Sequence, residues 1–306
     1  MRQIIAPLLL GLALLAGCQG TSQTDDIENP VVQQLTIDDI GACQGMFIHD
    51  GSVWLYGDRN NKGIIKRLEW VGPNDNGGPM LVDTNEVYEL WLYRNRFTQR
   101  NDQEQLPRNL IPHPTGLTHH EEVGTFIGNT VEQKGTIYHI VWWGFTQSGS
   151  LDDWVKNKVV DDLATNGTRP EFVRHNGRWL IATADYGDQG NQLRLYDPEK
   201  LKTAQKTSDK GVLVAAFDCG PFVQSMHWID QTQTLVLAQN QKAGLGYRLT
   251  LMRFGDGPEP PVVERVIDLD APTDELEGFG IVAPGWAVMS SAMTENNVTI
   301  IRWPIQ

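Results

Sequence analysis

Short apolar runs with a period of two, rather than the 3.6-residue period of a helix, recur along the chain after residue 30. Residues 53–56 and 179–182 are almost wholly apolar, whereas 192–196 and 247–254 alternate between apolar and polar side chains. Clusters rich in Asn, Asp and Gly, such as 49–51, separate these runs. Continuous apolar runs are typical of strands buried on both faces, and alternating runs of strands buried on one face. The pattern therefore predicts an all-β chain of many short strands.

One unit of this pattern recurs five times. It begins with a small or polar residue and an apolar residue, and continues through a short turn into an apolar run. The first apolar residue stands at positions 46, 117, 172, 226 and 279, so the steps are 71, 55, 54 and 53 residues. Four strands in a unit of this length are typical of a β-propeller blade, so five units predict five blades of four antiparallel strands. The units begin at Gln44-Gly45-Met46, Thr115-Gly116-Leu117, Pro170-Glu171-Phe172, Gln224-Ser225-Met226 and Glu277-Gly278-Phe279.

The last unit lacks a fourth strand because the sequence ends at Gln306. Residues 30–38 resemble residues 261–268, which precede that unit, so residues 31–37 are predicted to be the outer strand of the last blade. Such pairing closes the ring and removes exposed sheet edges. The predicted propeller domain thus spans residues 30–306. Third strands are predicted at 64–70, 137–143, 192–196, 247–254 and 298–303, and fourth strands at 87–93, 212–218 and 262–268.

Two segments interrupt the repeat. Residues 94–113 are polar without periodicity, which predicts a long loop between the first two blades. Residues 154–160 fit either the outer strand of the second blade or a short helix over the rim.

The first residues resemble a bacterial lipoprotein signal. A positive residue, Arg2, precedes an apolar stretch from Ile4 to Ala16, which is too short to cross a bilayer as a helix. Leu15-Ala16-Gly17-Cys18 resembles the lipobox, which implies a signal peptide over 1–17 and lipidation of Cys18. The following Gln19 implies sorting to the outer membrane. Residues 18–29 are polar and are predicted to be a flexible tether. The alternative to the lipobox interpretation is an ordinary cleaved signal peptide in which Cys18 has no special role.

The resemblance predicts an exported protein held at the cell envelope through its lipid. The chain has 38 acidic and 25 basic residues, a formal net charge of −13, which argues against nucleic acid as a partner. Two further cysteines, Cys43 and Cys219, both precede an inner strand. In an oxidising compartment they could form a disulfide across the mouth of the channel. The alternative is that both are free and buried, and pack as small apolar side chains.

The innermost strands of a propeller surround a central channel, so the residues that begin these strands are candidates for ligand binding. Their glycine or serine neighbours, such as Gly45 and Ser225, equally suit close packing without any ligand. The binding interpretation predicts a polar axial pocket for a small polar ligand, a glycan or an envelope protein. Its residues are Gln44, Thr115, Glu171, Gln224 and Glu277.

Two of these residues also suit catalysis. Carboxylates of Glu171 and Glu277 in one channel would raise one pKa for acid–base chemistry or hold Ca²⁺. The alternative function is therefore a hydrolase of a glycan, lactone or phosphoester. Five-bladed glycoside hydrolases use three acidic residues at the channel, but no motif of theirs occurs in this sequence.

A second candidate Ca²⁺ site is the loop 184–191, in which Asp185 and Asp188 could be ligands, although a tight polar turn explains the same residues. The histidines lack the spacing of a zinc site. His119 and His120 are adjacent in a turn, where neighbouring side chains diverge.

Overall fold

The computed structural model describes residues 31–73, 77–90, 111–142, 154–269 and 274–303. The predicted signal peptide, Cys18, the tether and most of the loop at 94–113 lie outside these ranges. No helix within them is long and apolar enough to cross a membrane.

Five four-stranded antiparallel sheets form a five-bladed β-propeller, as the repeat predicts. Blade 1 holds β2 (Ala42–His49), β3 (Ser52–Asp58), β4 (Gly63–Trp70) and β5 (Leu81–Glu89). Blade 2 holds β6 (Pro114–His120), β7 (Gly124–Val131), β8 (Lys134–Ile140) and β9 (Val155–Asp161). Blade 3 holds β10 (Glu171–His175), β11 (Arg178–Ala184), β12 (Gln192–Tyr196), a short helix α1 (Pro198–Leu201) and β13 (Leu213–Asp218). Blade 4 holds β14 (Val223–Ile229), β15 (Thr234–Lys242), β16 (Leu245–Arg253) and β17 (Val262–Leu269). Blade 5 holds β18 (Leu276–Ala283), β19 (Trp286–Ser291), β20 (Val298–Arg302) and the N-terminal strand β1 (Val31–Leu35).

The N-terminal strand closes the ring as predicted. It pairs antiparallel with β20, and Leu35 lies opposite Val298. Just beyond β1, the Asn297 side chain accepts a hydrogen bond from the Ile37 amide at 2.8 Å and donates one to its carbonyl at 2.9 Å. Because the two ends of the described chain share one sheet, no blade of the ring is left with three strands.

Most strand predictions hold, with shifts at two of them. The third strand of blade 2 runs from Lys134 to Ile140, a few residues before the predicted range, and β5 begins at Leu81 instead of residue 87. Residues 155–161 form the outer strand of blade 2, which decides between the two interpretations of that segment.

Apolar side chains pack in clusters between neighbouring blades. One cluster between blades 1 and 5, for example, joins Val53 and Leu55 to Trp286 and Val288. This arrangement follows from inner strands that are apolar on both faces, since each face must meet another sheet. The apolar core is thus a set of layers around the ring, and the starts of the inner strands are left for polar residues.

Candidate functional site

A β-bulge marks the start of four of the five inner strands. The register with the second strand skips one residue, and the skipped residues are Gln44, Thr115, Gln224 and Glu277. A bulged residue has no direct partner on the neighbouring strand, and the bulge redirects its side chain. Inner strands of non-adjacent blades also approach closely, since Cα atoms of β14 lie within 8 Å of β2 and of β6. The bulges therefore bring polar residues together at a narrow axis.

Blade 3 departs from this pattern. Glu171 pairs directly with Ala182, just as Gly45 pairs with Tyr56 and Gly278 with Ser290. Glu171 thus stands where the other blades have glycine or serine, and Pro170 occupies the polar position. The prediction that Glu171 occupies the same axial position as Gln224 and Glu277 is wrong by one residue, because Glu171 stands at the second position of its unit, where the others have glycine or serine.

A buried cation takes the place of the missing polar residue. Arg169 is only 7% exposed, and its Nε donates to the backbone carbonyl of Gln224 at 2.9 Å. One Nη contacts the Gln224 side-chain oxygen at 3.5 Å, the other contacts the Asn166 carbonyl at 3.4 Å, and the guanidinium lies over the Tyr186 ring. Sequence reasoning missed Arg169, although a basic residue directly before Pro170 at the start of an inner strand is a detectable sign.

Glu277 completes the axial network formed by Arg169, Gln224 and Glu277. The Gln224 side-chain amide donates to its Oε1 at 3.4 Å. Burial raises the pKa of Glu277 well above its ordinary value, the charge of Glu275 raises it further, and the charge of Arg169 opposes both effects. The buried Oε2 atom accepts no hydrogen bond, although the carboxyl group in its protonated form can donate one to Glu275, which also raises its pKa. The buried Ser225 hydroxyl has no hydrogen-bond partner, whereas the Ser290 hydroxyl interacts with the Cys43 thiol.

Glu171 is held apart from this network. Its Oε1 accepts hydrogen bonds from the Thr118 hydroxyl at 3.0 Å and from the Phe172 amide at 2.9 Å. Burial raises the pKa of Glu171 to about 8, and these two hydrogen bonds lower it only in part. Neither Glu171 nor Glu277 is among the charges that shift the pKa of the other. The two carboxyl groups therefore do not form a close, coupled pair.

Tyr56 is a buried residue near the axis that is affected by both carboxyl groups. Its pKa is raised first by burial, and the charges of Glu171 and Glu277 add to that effect while Arg169 opposes it. A Cβ atom added at Gly45 would come within 2.3 Å of the Tyr56 hydroxyl, so the glycine makes room for the ring.

The other two predicted axial residues differ from each other. The Thr115 hydroxyl donates to the Thr168 carbonyl at 2.6 Å and so ties blade 2 to the chain entering blade 3. Gln44 is partly exposed. The structure thus gathers Gln224 and Glu277 in one network and uses Thr115 and Glu171 in contacts between blades 2 and 3.

The loop 184–191 has the geometry of a tight turn. Asp185 pairs with Arg194 at 2.6 Å and accepts hydrogen bonds from the amides of Thr165 and Gln192, whereas Asp188 is exposed. Across the described ranges, no group of three or more His, Cys, Asp or Glu side chains is placed to hold a metal ion. The turn interpretation therefore fits these aspartates better than a Ca²⁺ loop.

Both cysteines described are free thiols, so the disulfide alternative is wrong. Cys43 packs between blades 1 and 5 and donates weakly to the carbonyls of Gly45 and Tyr56, whereas Cys219 packs beside the cluster of blades 3 and 4. The Cys219 amide donates to the Asn191 carbonyl, which holds its loop within blade 3. Burial raises the pKa of both thiols, to about 11 for Cys43 and about 12 for Cys219.

Comparisons with known proteins show similarity of fold alone. No family model matches the sequence, and no curated protein matches it. Among solved structures, hydrazine synthase of Kuenenia stuttgartiensis is 9% identical with a TM-score of 0.44, over 87% of this chain and 59% of that one. A luciferin-regenerating enzyme is 11% identical with a TM-score of 0.45, over 88% and 94% of the two chains. The PQQ-bound aldose sugar dehydrogenase of Streptomyces coelicolor is 10% identical with a TM-score of 0.43, over 85% and 77%. The chain thus spans less than two thirds of the hydrazine synthase chain.

Proposed function

We propose that the protein is a lipid-anchored binding module of the cell envelope that holds a small polar ligand at its axis. The observation that carries this proposal is a pair of buried oxygen atoms that accept no hydrogen bond, Glu277 Oε2 and the Ser225 hydroxyl oxygen. Each unsatisfied buried polar group costs about 1–3 kcal/mol. A ligand with hydroxyl or amino donors, such as the end of a glycan, would satisfy them.

The contacts around these atoms support binding more than catalysis. Arg169 and Gln224 are held by each other and by Glu277, so the walls of the site are fixed before a ligand arrives. A preorganised polar site lowers the entropic cost of binding. It does not by itself supply a nucleophile or an activated water.

Calorimetry and native mass spectrometry of the mature protein with a glycan panel and with Ca²⁺ test the proposal. We expect one ligand per chain, bound at least tenfold more weakly by Glu277→Gln, which replaces one oxygen acceptor with a donor. Glu132→Gln removes an exposed carboxylate from a hairpin turn and should leave affinity unchanged. Binding that Glu277→Gln leaves intact would contradict an axial site.

A second candidate function rests on Glu171. With a pKa raised to about 8, its carboxyl is protonated at neutral pH and suits a general acid. In this alternative the protein hydrolyses a glycan, lactone or phosphoester with Glu171 and Glu277, with or without Ca²⁺. Chromogenic substrates of the three classes test it, and turnover that survives both Glu171→Gln and Glu277→Gln would refute it.

The anchor is tested separately. Changing Cys18 to Ser should abolish incorporation of radiolabelled lipid and move the protein from the outer-membrane fraction to the soluble one. Lipid incorporated into the mutant protein would show that the lipobox interpretation is wrong.

A further inference from the structure

A groove of about 550 Å³ opens at the rim opposite the axial network. It is lined by His49, Asp50, residues 119–122 and Trp179, and we call it the rim groove. These residues lie at the turns between first and second strands of blades 1 and 2 and at the start of β11. Along β2, Gln44 and His49 are five residues apart, which is about 16 Å in a strand. The rim groove is therefore distinct from the axial site.

Packed aromatic rings form the walls of the rim groove. His119 stacks on Trp142 with ring centroids 4.7 Å apart and planes 21° apart, and His49 meets His119 edge to face at 5.1 Å. On the other side, His120 contacts Trp179 at 4.8 Å. Trp179 also packs edge to face on Phe172. Because Trp179 contacts both His120 and Phe172, the orientation of its partly exposed indole ring at the groove is restricted.

Acidic side chains dominate the charge of the rim groove. Asp50, Glu121 and Glu122 are exposed acidic residues along it, and within the described residues no lysine or arginine lines it. Burial lowers the pKa of His119 to about 4, so this imidazole is neutral at neutral pH. The rim groove thus combines carboxylates and an indole face, and the one ion pair among its described lining residues is that of His49 with Asp50 at 3.4 Å. Phosphate, sulfate and carboxylate ligands are disfavoured there.

We infer that the rim groove binds an organic cation, an ammonium or guanidinium group seated on Trp179 and facing the carboxylates. An indole face attracts a cation within about 6 Å of its centroid, and Trp is the strongest side chain in this role. The nearby carboxylates add attraction that depends on ionic strength. Such a group can come from a free amine or from a lysine or arginine side chain of a protein at the envelope. This inference does not depend on the function proposed for the axial site.

Isothermal titration calorimetry of the mature protein tests the inference with tetramethylammonium, spermidine and blocked tripeptides that contain lysine or arginine. Maltose, inorganic phosphate and Zn²⁺ serve as comparison ligands. We expect the cations to bind, with affinity that falls as salt rises. A preference for spermidine would identify free amines as the source, and a preference for the tripeptides would identify protein side chains.

Two variants locate the binding. Trp179→Leu should weaken cation binding about tenfold, the range of a partly desolvated cation–π contact. The double variant Glu121→Gln, Glu122→Gln should weaken it at low salt and flatten its salt dependence, and it changes only exposed side chains. Trp228→Leu is the matched control, a partly exposed tryptophan at the end of the inner strand of blade 4, and should bind like the parent.

Three outcomes would overturn the inference. The first is no binding of any organic cation at low salt. The second is binding that both rim-groove variants leave unchanged. The third is tighter binding of maltose, phosphate or Zn²⁺ than of any organic cation. Because Glu277 is remote from the rim groove, Glu277→Gln should not change cation binding, which separates this test from that of the axial site.

Discussion

Arg169 donates hydrogen bonds to both the backbone carbonyl and the side-chain oxygen of Gln224, the bulged residue that begins the inner strand of the next blade. The contact joins blades 3 and 4 near the starts of their inner strands. It also orients the Gln224 amide toward Glu277. One buried guanidinium thus fixes three blades relative to one another.

Replacing Arg169 with Met should destabilise the protein by about 3–5 kcal/mol, because it leaves the buried carbonyl and side-chain oxygens of Gln224 without their donor and removes the positive charge near Glu277. Chemical denaturation of the mature protein measures the change. Arg178→Met is the control, because its side chain is 59% exposed and its ion pair with Asp197 should contribute less than about 1 kcal/mol. Equal stability of the two variants would show that the axial network does not hold the blades.

Glu171→Gln should make stability less dependent on pH. The pKa of Glu171 is raised by burial to about 8, so its contribution to stability is complete below the unfolded value near 4.5 and is lost as pH rises through 8. Gln keeps the oxygen that accepts from Thr118 and Phe172 but cannot ionise. We expect equal unfolding free energies at pH 5 and an advantage of about 1–3 kcal/mol for the variant at pH 9. Parallel stability curves from pH 5 to 9 would contradict the buried, protonated carboxyl.

Gly116→Ala should destabilise the contact of blades 2 and 3 by at least about 2 kcal/mol. The added Cβ would come within 2.4 Å of Pro170 Cδ and 2.8 Å of Pro170 N, and a proline ring and backbone cannot move away easily. Gly255→Ala is the control, since nothing lies within 4 Å of its added Cβ. Thermal melting of the two variants should differ by several degrees, and identical melting would mean that the blades separate readily at this point.

Asn297→Ala should loosen the N-terminal strand. It removes both hydrogen bonds to Ile37, at a cost of about 1–3 kcal/mol. Limited proteolysis should then cut after residue 35 sooner than in the parent protein. Asn296→Gly deletes a neighbouring exposed side chain and tolerates the positive φ of 52° at that position, so it should be cut at the parental rate. Equal cleavage rates for Asn297→Ala and the parent protein would show that Asn297 does not hold the N-terminal strand in place.

The architecture was predictable because it depends on periodicity. The spacing of apolar residues at 46, 117, 172, 226 and 279 gives the number of blades, and the likeness of 30–38 to 261–268 gives the closing strand. Residues 155–161 were ambiguous because alternation over one short strand also fits a helical face.

The sites were less predictable because they depend on register and packing. Glu277 is the first residue of its unit and Glu171 the second, and the sequence does not show that a bulge sets the first residue apart from the ladder in four blades but not in blade 3. The rim groove was missed for a related reason. His119 and His120 do diverge, onto Trp142 and Trp179, yet both line the same groove because blades 1, 2 and 3 all contribute residues to its walls.

The pairing of β1 with β20 has a mechanical consequence. Any tension on the polypeptide before Val31 acts first on a five-residue strand at the outside of blade 5. The load passes first through one ladder of hydrogen bonds and through the hydrogen bonds of Asn297 with Ile37. The strand that completes the ring is therefore the first element that such tension would strain, and its release would expose the edge of β20.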